Sequence, residues 1–547
     1  MEVRIHIERA HTLGFPEGDP SPWVADALGV GPDHVRAAHL RQRALDARKG
    51  RRVPTWQLTV DADISPEAAA TTRHPTQPIP TPPPLLESPC FSRDMGPVVV
   101  VGAGPAGLFA ALHLAEHGAR VVLVERGKPV ETRARDFGRF RGRGELDPDS
   151  NLCFGEGGAG TYSDGKLTCR RKDPLRTKVL ERLHRLGGPE QILVDAKPHI
   201  GTNFLFRILK NARRALVELG VQHEFSSKMV DVRMRGSRVV GIRLEDGREL
   251  DASAVILAMG HSARELFFAL AERGLPMESK GFAVGVRIEH PQRWLDGVQY
   301  RLEPSQTRPA TLPPADYRLA HTVGSRGVYS FCMCPGGMVV PTATEPESVV
   351  VNGMSSAKRG SPFANSGLVV QVNPDDVEAL GFGSDPLAGL RFQRALEREA
   401  FAHGGRNYRA PAMKARDFVR RKTSIDVADS HFRPGLTPAD LRAFLPSFIQ
   451  EAMQEALRHF DRFLPGYASD HANLIAVESR TSSPLRILRD PDHRAVVGWP
   501  GLYVAGEGPG YAGGIMSAAL DGLRVADSVL RTAPRPRPSA SRRLEER

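Results

Sequence analysis

Three glycines, Gly102, Gly104 and Gly107, stand between an apolar β-branched run, Val98–Val101, and a helical pattern with Leu108, Ala111, Leu112 and Ala115 on one face. At this spacing the backbone itself does the chemistry. The first glycine permits a tight turn and the second lets the chain approach a pyrophosphate. The third lets the helix pack on its strand, so that its first amides and positive dipole end meet the phosphates. Pro105 and Ala106 complete the turn. A second apolar run, Val121–Val124, ends on Glu125 and Arg126, and an acid at that point is placed to accept hydrogen bonds from an adenosine ribose. The unit predicts a strand–turn–helix–strand built around an adenine dinucleotide.

Other residues of chemical interest lie further along. Phe154–Leu167 (FGEGGAGTYSDGKL) has five glycines in fourteen residues, too many for a helix or strand interior. Backbone of this kind suits close approach to a flat ring system, through Gly157, Gly158, Ala159, Gly160 and Thr161; a flexible surface loop is the alternative. Lys166 offers a cation for a redox step, or is a solvated loop lysine. His199, in KPHIGT, is a candidate general acid or a structural histidine. Cys332 and Cys334, in FCMCPGG, are expected in an extended segment with both thiols on one face. Cys334 is the candidate thiol for electron relay or substrate protonation, with packing behind the cofactor as the alternative. No neighbouring Cys/His set completes a metal site. Arg480 and Arg486 suit either an anion or a salt bridge.

The stretch Gly501–Gly522 (GLYVAGEGPGYAGGIMSAALDG) separates the possible dinucleotides. A short strand, Leu502–Ala505, stops at Gly506-Glu507, and Gly513-Gly514-Ile515 opens a small-residue helix. This is similar to two-dinucleotide-fold flavoproteins, where a strand ending in Gly-Asp sets its carboxylate on a ribityl hydroxyl. The helix that follows aims its N-terminus at the flavin N1/C2=O edge, where negative charge builds on reduction. Here Glu507 replaces the Asp, one methylene longer. Val221–Phe225, Met229–Met234 and Val239–Leu244 read as a strand feeding an antiparallel meander, and Val255–Met259 returns as a strand ending at Gly260. By the same resemblance that strand closes an FAD site, with Met259 in place of Thr, and the backbone of Met229 meets the adenine edge. FAD is the implied cofactor. Disulfide-reductase flavoproteins carry GGTCxNxGCxPxK where this chain has its glycine-dense stretch. Matched on Gly157-Gly158, the two cysteine positions fall on Gly160 and Gly165, so the redox-active dithiol is absent and Lys166 falls toward the flavin N5 side.

Longer blocks carry a closer resemblance. Ala44–Lys49, Ser150–Leu167, Lys197–Thr202, Val328–Gly337, Asn352–Ser356, Asn365–Gln371 and Glu478–Arg486 resemble the bacterial FAD-dependent dehydrogenases of the glutathione-reductase-like superfamily, across nearly the whole chain. The chain departs from them at Leu152-Cys153, where a Val-Gln pair is frequent, and at Gly367, where Ala is usual. The resemblance implies an α/β fold, with a Rossmann-like FAD-binding domain of the glutathione-reductase type, and brings no substrate.

These residues need elements to position them. Residues 1–70 read as a compact ferredoxin-like α+β domain: strands at Val3–Ile7, Val35–Arg41 and Thr55–Val60, and a helix at Ser21–Leu28. A Pro-rich linker fills 71–96. The FAD-binding domain is expected in two parts, 97–275 and 471–532, around an α+β substrate or cap domain at 276–470, with a disordered tail at 533–547. In the cap, Phe282–Glu289, Gly337–Pro341, Val349–Asn352 and Gly367–Val372 read as strands and Pro446–Phe463 as an amphipathic helix. No second GxGxxG occurs there. Either NAD(P)H binds transiently without a Rossmann domain of its own, or the electron donor is something else.

Composition narrows the class. The chain has 547 residues, 41% hydrophobic and 25% charged, and no apolar run long enough to span a bilayer. The N-terminus lacks the apolar core of a signal peptide, and five cysteines without CxxC spacing suit a reducing cytoplasm. The net charge of +11 includes an Arg-rich tail, and five arginines fall within Arg133–Arg143. This permits non-specific anion binding, but no aromatic stacking signature points to RNA. The expected function is an FAD-dependent oxidoreductase passing hydride between a small organic substrate and FAD. The alternatives are a flavoenzyme acting on tRNA and a non-catalytic FAD-binding interaction protein.

Overall fold

Val98–Val101 forms the central strand of a parallel sheet, and all four valines are buried, as a strand covered on both faces requires. The computed structural model describes residues 1–48, 53–80, 96–169 and 173–532. Lys49, most of the expected linker with Cys90, and the tail 533–547 lie outside the described residues. The sheet runs Leu502–Val504, Ala254–Leu257, Val98–Val101, Val121–Val124, Gln222–Glu224, with every neighbour parallel. From the centre the chain builds outward to one side, then returns to build the other. That reversal makes a topological switch point between Val98–Val101 and Ala254–Leu257, the place where such sheets bind ligands. The edge strand Leu502–Val504 comes from the far end of the chain, so one sheet unites both glycine turns.

Two helices cover one face of this sheet. Pro105–Glu116 follows the first turn and Ile515–Thr532 the last. They approach closely because the contact is small: a Cβ on Gly522 would lie 2.1 Å from the Ala106 carbonyl oxygen. The expected meander is Met229–Arg235, Arg238–Leu244 and Glu249–Asp251, all antiparallel.

A second, seven-stranded sheet stands over the first. Its order is Ala320–Val323, Arg326–Cys334, Phe363–Val372, Phe282–Pro291, Asn473–Glu478, Ala410–Lys414, Leu436–Pro438. Helix Ser447–Phe463 packs Ile449, Ala452, Met453, Ala456, Leu457 and Phe460 into its core, while Phe448 lies half-buried under the Arg326 guanidinium. Asn473–Glu478 corrects the expected boundary at 470. This strand pairs with Phe282–Pro291 and so belongs to the cap sheet. The expected hairpin is also shifted: Met338–Pro341 pairs with Val351–Met354, because the Val350 carbonyl and the Val349 amide are taken by Thr342 and the Glu397 carbonyl.

At the N-terminus, strands Glu2–Ala10, Val35–Asp46, Thr55–Ile64 and Thr76–Gln77 alternate with helices Ser21–Leu28 and Pro66–Thr71 in βαββαβ order. The sheet order is second, third, first, fourth strand, all antiparallel. Arg43 ties this module to the segment before His199. Its amide donates to Val194 O at 2.8 Å, its carbonyl accepts from Ala196 N, and its guanidinium pairs with Asp195 at 2.6 Å. Among the described residues no helix is long and apolar enough to cross a membrane.

Candidate functional site

The first and last glycine turns meet at the carboxyl edge of the parallel sheet. Gly102 has φ +104°, and a Cβ on Gly107 would sit 1.9 Å from the Gly102 carbonyl oxygen, so both positions demand glycine. A Cβ on Gly506 would come within 2.8 Å of the Ala106 Cβ, and one on Gly160 within 3.1 Å of Ile515. Around these packed contacts, Gly102, Gly104, Pro105, Gly158, Ala159, Gly160, Met259, Gly260, Gly513, Gly514 and Ile515 all retain solvent access. Nothing lies within 4 Å of a Cβ built on Gly260, Gly513 or Gly514. Contacts between Gly104 and Gly158, Gly160 and Ile515, and Gly260 and Gly508 gather them into the candidate cleft at this edge. Helix Pro105–Glu116 has no side-chain cap, and Pro105 has no N–H, so the donors left at its mouth are the Ala106 and Gly107 amides.

The glycine-dense segment forms a single 3₁₀ turn, Gly158–Tyr162, rather than an irregular loop. Most of its glycines answer to protein and not to a ring. A Cβ on Gly155 would strike the Arg133 side chain at 2.4 Å, and one on Gly157 would strike Thr161 and Leu209. Arg133 is fully buried and donates to the carbonyls of Asn151, Leu152, Gly155, Glu156 and Gly158 and to Thr161 Oγ1. It is the post around which the segment folds, and sequence reasoning saw it only as one of a basic run. Thr161 is correspondingly buried, turned toward Arg133.

Glu125 is buried and braces the turn: Oε2 accepts from Ala103 N at 2.8 Å, and Oε1 accepts from Gly127 N and Gly155 N. Two carboxylate oxygens offer about four acceptor positions, so one on Oε2 remains for a ribose hydroxyl. Arg126, expected beside the cofactor, has a side chain that is held by protein. Its guanidinium is spent on Asp149 and Glu265 and stacks 3.9 Å over Phe154. Met229 is buried at the start of the meander, opposite Leu244.

On the far side of the cleft, Glu507 accepts no protein hydrogen bond from any described side chain. Its nearest basic neighbour is His261 Nε2 at 3.9 Å. Burial pushes its carboxyl up to about 7, against the pull of Lys280. His261 is driven down to about 3 by burial and by Arg480 and Arg264, so it is neutral.

The cap sheet brings a second wall, made of side chains. Lys166 Nζ donates to the Met333 carbonyl and lies 3.3 Å from Asp164, which also takes Ser355 Oγ and the Arg359 fork at 2.6 and 3.0 Å. Burial alone would raise the Asp164 pKa, but Lys166 and Arg359 hold it well below the carboxylate range. Burial opposes the charge on Lys166, yet Cys334 and Asp164 outweigh it and keep the amine protonated. His199 bridges to Lys166 and sets Nε2 3.2 Å from the Ala357 carbonyl. Burial and Arg359 push its pKa down, which favours the neutral imidazole.

Cys334 does not share a face with Cys332, although alternation along the strand predicts that it should. It is buried, its Sγ turned to the Cys332 carbonyl at 3.3 Å, whereas Cys332 is exposed and in the left-handed region at φ +42°. The strand's register slips between Phe331 and Cys334, which breaks the alternation that would have put both thiols on one face. Behind the cysteines, Arg287 is fully buried and donates to Cys332 O, Asn365, Asn352 and Glu478. A second buried carboxylate, Glu397, takes forks from both Arg264 and Arg480, at 2.6–3.0 Å. Arg480 is therefore a structural pair, and Arg486 pairs with Glu278 at 3.1 Å. Among the described residues no group of three His, Cys, Asp or Glu could hold a metal.

Comparisons with known proteins agree with this layout. Residues 97–186 match the family model described as "FAD dependent oxidoreductase", and residues 281–481 match "FAD-dependent protein, C-terminal domain-like". An uncharacterized protein of Clostridium beijerinckii is 41% identical over 436 residues, covering 79% of this chain and 80% of that one. Protein FixC of Salmonella typhi is 28% identical over 37% of this chain and 45% of its own length. Among solved structures, the halogenase PltM in complex with FAD aligns over 80% of this chain and 70% of that one, at 12% identity and a TM-score of 0.37. The residues present fit FAD on three counts: an open run of glycine backbone, free amides at a helix mouth, and a deep carboxyl at Glu507 with no protein donor. The chain belongs to the family of FAD-dependent oxidoreductases that it shares with the clostridial protein.

Proposed function

We propose that the protein is a dehydrogenase of the glutathione-reductase type, in which the two glycine turns grip opposite ends of one FAD and the cap wall receives a small organic substrate. The bound flavin supplies the hydride chemistry. The chain supplies the rest. Amides of Ala106 and Gly107 meet the pyrophosphate, with Gly102, Gly104 and Pro105 shaping the turn, and Glu125 gives its remaining acceptor to the adenosine ribose. Glu507 takes a ribityl hydroxyl, and the first amides of helix Ile515–Thr532, opened by Gly513 and Gly514, stand at the ring edge where charge develops. Met229 meets the adenine, while Met259, Gly260 and the 3₁₀ turn through Gly157, Gly158, Ala159 and Gly160 close the sides.

Lys166 carries the reading of the cap wall. Its ammonium is held charged by Asp164 yet stays one-third exposed at the cleft. It therefore stabilises negative charge on the reduced side of the reaction without itself losing a proton. The cap, residues 282–478 by its strands, is the substrate domain, and the N-terminal βαββαβ unit is a ferredoxin-like module braced on the segment that carries His199. No redox-active disulfide takes part, and NAD(P)H serves at most as a passing donor.

Lys166→Met tests this. The variant should purify yellow with its full complement of FAD. Its midpoint potential should fall by about 30 mV, equal to ~1.4 kcal/mol for a two-electron couple. An unchanged potential, read by spectroelectrochemistry, would remove Lys166 from the ring.

A further inference from the structure

Next to the Gly506–Gly514 turn, whose Gly506 amide donates to Asp521, a cavity of about 430 Å³ is lined by Arg489, Arg494, Arg524, Tyr511, Asp521 and Asp173. We propose that this cavity is a second ligand site, which binds the phosphoryl group of a small molecule.

Charge count is the first reason. Three guanidiniums face two carboxylates. Asp521 holds Arg489 by a two-pronged pair at 2.6 and 3.0 Å, and Asp173 holds Arg524 at 2.6 Å. Among the described residues Arg494 makes no ion pair; its NH1 reaches the Asp492 carbonyl at 3.0 Å and Ser528 Oγ at 3.4 Å. Arg489, Asp521, Arg524 and Asp527 surround it, and burial together with the two arginines weighs against its charge. Both of those arginines line the cavity with Arg494, and an anion seated among the three guanidiniums offsets their mutual repulsion.

Donor geometry is the second. Each guanidinium carries five N–H donors. Arg489 commits three of them to protein, Arg494 two and Arg524 one. The rest are enough for a tetrahedral oxyanion, for which forked arginine donors are well matched. The acids hold two of the forks in place. Arg489 is fixed further by stacking 3.6 Å over the Tyr511 ring, whose hydroxyl is tied to the Ile487 carbonyl at 2.9 Å. The site is preorganised at two corners and open at the third, Arg494.

The same chemistry fits free phosphate or a phosphate borne on a nucleotide. The test uses FAD-loaded protein at constant ionic strength and isothermal titration calorimetry, with inorganic phosphate, adenosine 2′,5′-bisphosphate and adenosine as probes. Saturable binding of phosphate or the bisphosphate, weakened ~10-fold or more by Arg494→Gln, supports the site. Arg416→Gln, a cap-surface arginine paired with Asp470, should leave binding unchanged. Retained flavin absorbance in both variants shows that they fold. Bisphosphate tighter than phosphate assigns a nucleotide, and equal affinities assign the free anion. No saturable binding of either phosphate, or equal binding by Arg494→Gln and the parent, overturns the proposal.

Discussion

The two walls of the cleft are built by opposite means. On the parallel-sheet side, recognition rests on backbone: glycines, helix mouths and amides, arranged within a few residues of each other in sequence. On the cap side it rests on charged side chains from segments hundreds of residues apart. Lys166 and Asp164 meet Arg359 between two loops, and Arg287 meets Glu478 between two neighbouring strands. Local backbone motifs leave a spacing that can be read directly. A network of side chains leaves only residue types, each with an ordinary alternative use.

Three perturbations should separate the walls. The largest falls on the backbone wall. Gly107→Val sets a side chain against the Gly102 carbonyl, 1.9 Å from the Cβ position, with no flexible neighbour to move. Overpacking of this kind costs about 1–3 kcal/mol or more, and here it also closes the turn. The variant should carry no FAD, seen as loss of absorbance near the flavin maximum. A yellow Gly107→Val would mean the turn is not the binding element.

The next falls on the cap side. Glu397→Gln leaves Arg264 and Arg480, both buried, with Glu345, 3.5 Å from Arg264, as their remaining carboxylate. Breaking a buried pair in this way typically costs about 3–5 kcal/mol. Thermal unfolding should shift down by several degrees, while the protein that remains folded still binds FAD. If flavin content fell as far as it does in Gly107→Val, the two walls would not be separable.

The smallest is a pH effect at Glu507. Its carboxyl titrates near 7 in the fold, against an ordinary value of 4.5. Between those values the folded chain holds a proton that the unfolded chain releases, so stability falls as pH rises through this window and levels off above it. Flavin-stripped protein should therefore lose on the order of 1–3 kcal/mol from this group between about pH 5 and 8. Glu507→Gln should flatten that part of the profile. A profile unchanged by the substitution would mean that the Glu507 carboxyl keeps its ordinary pKa.

What the sequence made legible follows from the same contrast. Gly102, Gly104, Gly107 and the strand that ends at Glu125 declare themselves because period, punctuation and terminal acid agree within thirty residues. Gly506 and Gly514 are readable for the same reason. Arg133 was hidden: nothing in a run of five arginines says that one of them is wholly buried and bonded to carbonyls. The two thiols misled, because alternation along a strand assumes an unbroken register and this one bulges at Cys332. The domain edge near 470 slipped past Asn473–Glu478, whose partner strand lies nearly two hundred residues earlier. Asp164, Arg359 and Glu478 fall in or beside the blocks that carry the family resemblance, which was the one available signal, and Arg287 lies outside them.

A crystal structure of the protein with its flavin tests the central claim most directly. One FAD per chain should lie with its pyrophosphate against the Ala106 and Gly107 amides and its ring against Gly513, Gly514 and Ile515. Flavin density that touches the first turn and leaves the second bare, or that lies outside this cleft, would contradict the account.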